Sequence, residues 1–195
     1  MREHIAHADL KKPIQLSGEY DRNYYKEKAT LEQKHFIMTL QYIEHLKPKS
    51  VLDVGCGTGL FMYCFNYFGI TAHGLEIKED ARTFAHESIR DSIYLDKNRL
   101  DDSYDVIFSF DVLEHLETEA EVDEMIMFLR KKCRRAALFS ICMAGDTNYY
   151  LDATHRMFRT KSWWINKLET YGFKVVKTPE HFWYKSQILI AKVKK

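Results

Sequence analysis

Proline is scarce: only Pro13, Pro48 and Pro179 occur in 195 residues, which excludes proline-rich linkers and polyproline segments. The four cysteines, Cys56, Cys64, Cys133 and Cys142, form no Cys-x-x-Cys pair and no zinc spacing. That excludes a disulfide scaffold and a zinc module, and it points to reduced thiols in a cytoplasmic protein. No apolar run reaches the ~18 residues of a membrane span, and no secretory leader pattern is present, so no membrane partner is expected. Excess charge is also missing. Lys+Arg is 29 against 28 for Asp+Glu, a net +1, so no field draws the chain to nucleic acid. There is no internal repeat and no low-complexity stretch. What remains is 46% hydrophobic and 14% aromatic, enough for one domain with a sizeable core.

Glycine is sparse too, eight in all, yet three of them stand at alternate positions: Gly55, Gly57 and Gly59. They follow Ser50–Val54, a short apolar run that reads as a buried strand. Leu60, Phe61, Cys64, Phe65 and Phe68 then share one helical face, and Gly69 is placed to end that helix. Strand, glycine turn and helix open a nucleotide-binding βαβ unit. A dinucleotide fingerprint needs a glycine three residues after the second one, but that position is Leu60.

The pattern Asp53-x-Gly55-x-Gly57-x-Gly59 resembles the first motif of class I S-adenosylmethionine (SAM)-dependent methyltransferases. The resemblance covers about residues 30–195 and implies a Rossmann-like α/β fold. In it a doubly wound, mostly parallel seven-stranded sheet carries helices on both faces and an antiparallel C-terminal edge hairpin. The chain is then a single domain over 1–195, with an N-terminal arm or lid over 1–29 and the core over 30–195. SAM is the implied cofactor, and the loop from Asp53 through Gly55, Cys56, Gly57 and Gly59 would cradle its methionyl part.

Read in order, Met1–Tyr20 is a polar arm. Tyr20, Tyr24 and Tyr25 form an aromatic cluster that either packs on the core or lids the site. Thr30 is placed to cap a helix to about Leu46, with Gln33 in the capping-box position. The second strand, Ile70–Ile77, ends at Glu76, which stands about 20 residues past the glycine turn, where an acid can accept ribose hydroxyls. The family has an acid at the matching place, with Ile77 beside it. One helix is expected over Glu79–Ile89 and a weak third strand over Ser92–Leu95; the resemblance implies that the turn after it, held here by Asp96 and Lys97, contacts adenine. Tyr104–Phe110 is the fourth strand, a near-continuous apolar run as parallel sheets require. A helix with Val122, Met125, Ile126 and Leu129 inward, the strand Ala136–Cys142, the helix Ser162–Tyr171 and strands Phe173–Lys177 and Ser186–Val193 complete the set.

At the end of the fourth strand stands Ser109-Phe110-Asp111-Val112-Leu113-Glu114-His115-Leu116, which resembles a phrase of small-molecule methyltransferases. Ser109 is expected to contact the cofactor. The Asn/Asp-Pro-Pro-aromatic run of base N-methyltransferases is missing, as is the Pro-Cys pair of cytosine C5 enzymes. Met143–Thr160 has no period and reads as a functional loop or lid. It holds Asp152-Ala-Thr-His155, a phrase similar to those of sugar and secondary-metabolite methyltransferases.

A hydroxyl acceptor needs a base, and His suits the task. His155 and His115 are the candidates, and Asp111 either orients a histidine or binds the acceptor. Arg156 and Arg159 either hold an anionic group or form surface ion pairs. Asp111-x-x-Glu114-His115 also resembles the metal set of ubiquinone-pathway and small-RNA 2′-O-methyltransferases, with Asp in place of the first Glu. The expectation here is no metal. The reading is methyl transfer to a small-molecule hydroxyl, with metal-dependent RNA ribose methylation and non-catalytic SAM binding as alternatives.

Overall fold

Short, mostly apolar runs assemble into one sheet whose central strands are buried on both faces. The computed structural model describes residues 20–100, 103–146 and 152–194. Its strands are β1 (Ser50–Val54), β2 (Thr71–Leu75), β3 (Ile93–Tyr94), β4 (Tyr104–Phe110), β5 (Cys133–Ser140), β6 (Phe173–Val176) and β7 (Ile188–Val193). They lie in the order β3-β2-β1-β4-β5-β7-β6. The first five run parallel, and β7 is antiparallel to both its neighbours. The Rossmann-like sheet with its antiparallel C-terminal hairpin is therefore present, with β7 inserted between β5 and the edge strand β6. Strand order reverses between β1 and β4, which opens a crevice at their carboxyl ends.

Alternation along each strand decides which core a side chain joins. Val51, Val106, Phe108 and Leu138 face α2 (Gln33–Leu46) and α3 (Leu60–Tyr67), meeting Met38, Tyr42, Met62 and Phe65. Leu52, Ile107 and Phe139 face α6 (Glu119–Lys132) and α7 (Lys161–Thr170), meeting Val122, Ile126, Trp164 and Leu168. Each side chain so buried contributes about 1.5–3 kcal/mol of transfer free energy.

Helix ends account for several departures from the sequence reading. α2 starts at Gln33, and the Glu32 N–H donates to His35 Nδ1 at 3.0 Å. The cap therefore lies two residues past the expected Thr30. An additional helix, α1 (Arg22–Lys28), precedes it, with the Asp21 carboxylate accepting from Tyr24 N–H at 2.9 Å. The helix expected over Glu79–Ile89 is broken into α4 (Glu79–Thr83) and α5 (Glu87–Arg90). His86 breaks it: its backbone is extended, and its ring accepts from Ser88 N–H at 3.2 Å, starting a new helix. α6 follows sequence logic closely. Thr118 caps it, Glu119 and Glu121 sit in its first turn, and Arg130, Lys131 and Lys132 sit in its last, each sign suited to the dipole. Residues 1–19 of the expected arm over 1–29 and the segment 147–151 of the expected loop lie outside the described residues.

Candidate active site

The site is assembled where β1, β2, β4 and β5 end. β1 turns sharply at Gly55, whose N–H donates to Leu75 O at 2.8 Å, and Cys56 N–H donates to the same oxygen at 3.2 Å. The loop is thereby tied to the end of β2. A side chain at Gly55 would lie 2.3 Å from Val112 Cγ2, so only glycine lets the turn after β4 approach this closely. Gly57 differs. Its φ is +53°, and a Cβ built there meets no described atom within 4 Å. The loop is open at that point, as a cradle for a ligand must be. Gly59 stands at the start of α3, and a side chain there would meet Ile89. Cys56 turns its sulfur under the loop, against Gly74, so it serves the site through its backbone.

Glu76 is buried and bonded to three backbone N–H groups. Its Oε2 accepts from Gly57 at 3.0 Å, and its Oε1 accepts from Ile77 at 2.7 Å and Lys78 at 3.0 Å. These bonds fix the carboxylate at the loop while Oε2 keeps acceptor capacity. Ile77 follows with 79% of its surface exposed, an apolar side chain held in solvent beside the acid. Asp53 is buried in β1, and burial, with Glu76 nearby, pushes its carboxyl up to about 8. Asp96 lies beyond β3, where its carboxylate caps a short turn by accepting from Asn98 N–H at 2.9 Å. Ser109 is buried between β1 and β5, and its hydroxyl has no partner among the described residues.

Across the crevice the turn after β4 carries the second half. Asp111 adopts φ +54°, a strained conformation that Asp tolerates better than most residues. The residue is open to solvent at the rim, while Oδ1 turns inward and accepts from the Ser140 hydroxyl at 2.6 Å. Dehydration of that inward carboxyl raises its pKa, partly offset by Ser140 and His155. Glu114 is fully buried. Its Oε1 accepts from Cys142 N–H at 2.7 Å, and its Oε2 has no partner among the described residues. Burial first, and the Asp111 charge second, push its carboxyl up to about 8.

The Glu114 carbonyl accepts from Arg156 N–H at 2.8 Å and Met157 N–H at 2.9 Å. These bonds pull the segment after β5 onto the turn and set His155 beside His115, ring centres 4.8 Å apart. A Glu114 carboxylate oxygen, a His115 ring nitrogen and a His155 ring nitrogen lie within 4.8 Å of one another. One carboxylate and two imidazoles make a donor set for a divalent cation. His155 is buried, and dehydration, reinforced by the His155 charge, lowers the pKa of half-buried His115.

Two partners of His115 were not assigned that role by the sequence. Thr154 Oγ1 lies 2.9 Å from His115 Nδ1, and the Tyr20 hydroxyl lies 3.0 Å from the same nitrogen. The Asp-x-Thr spacing was the available signal, since Asp bonds its own backbone two residues on. Here Asp152 Oδ1 accepts from Thr154 N–H at 2.8 Å. Arg156 and Arg159 are exposed and pair with Glu117 at 3.3 Å and Glu119 at 2.6 Å, the surface alternative of the sequence reading.

With this geometry in hand, the chain matches the family described as methyltransferase domain over residues 25–178. It is similar in structure to DesVI of Streptomyces venezuelae, with a TM-score of 0.71, 14% identity and coverage of 91% of this chain and 100% of that one. It also resembles SAM-bound CalS10, an amino pentose methyltransferase of Micromonospora echinaspora, with a TM-score of 0.69, 12% identity and coverage of 90% and 98%. A third likeness is the magnesium protoporphyrin IX methyltransferase ChlM of Synechocystis PCC 6803 with bound S-adenosylhomocysteine. Its TM-score is 0.62, with 20% identity and coverage of 84% and 83%. A search of curated proteins finds no match. The open glycine cradle, the acid bound to its backbone and the family match agree: the chain belongs to the methyltransferase domain family and is a SAM-dependent methyltransferase.

Proposed function

We propose that the chain methylates a hydroxyl of a small-molecule acceptor of the sugar or secondary-metabolite kind. The observation that carries this reading is the histidine pair, His115 and His155, set across the crevice from the Gly57 cradle. SAM, when bound, supplies an electrophilic methyl group on sulfonium. The loop Gly55–Gly59 would hold its methionyl part, Glu76 its ribose, and exposed Ile77 would cover one face of its adenine, with Asp96 at the far rim. Asp53 supports the loop from beneath, and Ser109 lines its floor through the backbone. A histidine of the pair would accept the proton of the acceptor hydroxyl as that oxygen takes the methyl group. Asp111 binds the acceptor or steadies the protonated ring. The amino pentose methyltransferase among the structural neighbours supports a sugar-like acceptor.

An amine acceptor has its lone pair free when neutral and needs a base far less. Product formation from hydroxyl and amine acceptors, compared in the doubly substituted His115→Ala/His155→Ala protein, tests the reading. Loss with hydroxyl acceptors alone supports it. Full activity on hydroxyl acceptors overturns the histidine base. SAM binding without turnover on any acceptor favours a regulatory protein.

A second reading is favoured by Glu114 Oε2, which has no partner among the described residues and stands beside the two imidazoles. A divalent cation held by Glu114, His115 and His155 would polarise the acceptor hydroxyl, and an RNA ribose would suit the same chemistry. Activity lost in chelator and restored by Mg²⁺ or Mn²⁺ selects it. Affinity falling steeply with salt would then identify RNA as the acceptor. The remaining parts of the proposal are an arm over 1–29 that carries α1 against a core over 30–195, and a cytoplasmic location that suits four free cysteines. Among the described residues no helix is long and apolar enough to cross a membrane.

A further inference from the structure

His115 has two ring nitrogens, and which one carries the hydrogen decides what the ring does. Nδ1 lies 2.9 Å from Thr154 Oγ1. A threonine hydroxyl has one hydrogen to give. That hydrogen is already placed, because Thr154 Oγ1 lies 2.5 Å from Asp152 Oδ1 and donates to it. A carboxylate at neutral pH has none to offer in return. If the hydroxyl hydrogen were turned to His115, two oxygens would face each other at 2.5 Å with no hydrogen between them. The hydrogen in the Thr154–His115 contact therefore belongs to Nδ1. The Tyr20 hydroxyl lies 3.0 Å from Nδ1 and 3.4 Å from Nε2 and is compatible with either tautomer, so Thr154 decides.

We propose that Asp152 and Thr154 are positioning residues, which fix His115 with Nδ1 protonated and Nε2 bare. This rests on the reading of His115 as a residue of the acceptor site. Nε2 is then the one ring position able to take an acceptor's proton or a cation. The order of the relay is carboxylate, hydroxyl, imidazole, and it closes through a segment that reaches the turn from 39 positions away. Asp152 acts at one remove, through the direction in which it holds the threonine hydrogen.

Nitrogen-15 NMR of the imidazoles reads the tautomer directly and needs no acceptor. A His115→Gln variant assigns the signals by their loss. The wild-type protein and Thr154→Ser should show His115 with hydrogen on Nδ1. In Thr154→Val the preference should vanish or reverse. Asp152→Ala is the sharper variant: it frees the threonine hydrogen to turn to Nδ1, so His115 should move to the Nε2–H form. Hydrogen on Nε2 in the wild-type protein overturns the proposal. So does an unchanged tautomer in Asp152→Ala. On a working acceptor, Thr154→Val should lower kcat about 10–100-fold, as loss of an outer-shell partner does, with the KM for SAM unchanged and with recovery in Thr154→Ser. If no acceptor is ever methylated, the functional reading fails while the tautomer result stands.

Discussion

The two halves of the crevice are built by different means. On the side proposed for the cofactor, backbone does the work: Gly55 and Cys56 bond the end of β2, and Glu76 accepts from Gly57, Ile77 and Lys78. The parts of this cradle come from β1, β2 and the turns that follow them, and its bonds join only those two neighbouring strands and their turns. On the side proposed for the acceptor, side chains do the work, and they come from afar. His115 meets Thr154 across 39 positions and Tyr20 across 95. A ligand common to many enzymes can be held by a fixed backbone cradle. An acceptor particular to one enzyme is met by exchangeable side chains on connecting segments.

The largest effect should come from filling the cradle. Gly57→Val puts a β-branched side chain at φ +53°, into open space where the cofactor is proposed to lie. The strain costs about 1–3 kcal/mol, which the core can bear, while SAM affinity should fall by about 100-fold or more. Calorimetry on protein whose circular dichroism is unchanged makes the check, and unchanged affinity would break the comparison on its cofactor side.

Next come the histidines. His155→Ala should lower turnover by about 10²–10⁴-fold and leave SAM affinity nearly intact. Single-turnover product formation, read by mass spectrometry, separates the two. Wild-type turnover in this variant would move the base to His115.

A smaller effect is expected with pH. Asp53 and Glu114 are both pushed up to about 8, against ~4 in an unfolded chain. The folded protein thus keeps protons that the unfolded chain releases. The stability these groups contribute should be fully present below about pH 4 and should be lost progressively as pH rises to about 8. Glu114→Gln keeps an acceptor for the Cys142 N–H and should flatten that fall. Thermal melts between pH 5.5 and 8.5 read the slope, and an equal slope in the variant would contradict the burial argument.

The smallest effect should follow Arg156→Ala and Arg159→Ala. Both guanidinium groups are exposed and paired, so about 0–1 kcal/mol of stability is at stake, with no change in turnover. A raised KM for the acceptor in either variant would mean that it meets the substrate after all.

Legibility in the sequence follows the same division. The strand–glycine–helix run and Glu76 were readable because short-range geometry fixes them: strand period, alternate glycines, an acid one strand on. The strand Tyr104–Phe110 matches the sequence expectation to the residue, since a near-continuous apolar run between polar turns marks its ends. The break of α4 from α5 was not legible, because it depends on the His86 ring serving as a cap, which histidine rarely does. Glu114 was noted beside Asp111 and His115, but its pairing with His155 depends on a backbone contact from Glu114 to Arg156 and Met157. No local pattern announces that contact. Thr154 lay inside a phrase that was noticed, yet its bond to His115 is a fact of the fold.

The claim at the centre of the account is that cofactor and acceptor are held by separable halves. Titration calorimetry of SAM into the wild-type protein, Gly57→Val and His155→Ala tests it most directly. One SAM per chain is expected in the wild-type protein, with nearly the same affinity in His155→Ala and affinity weaker by about 100-fold or more in Gly57→Val. Equal loss of SAM affinity in both variants, or its survival in Gly57→Val, would contradict it.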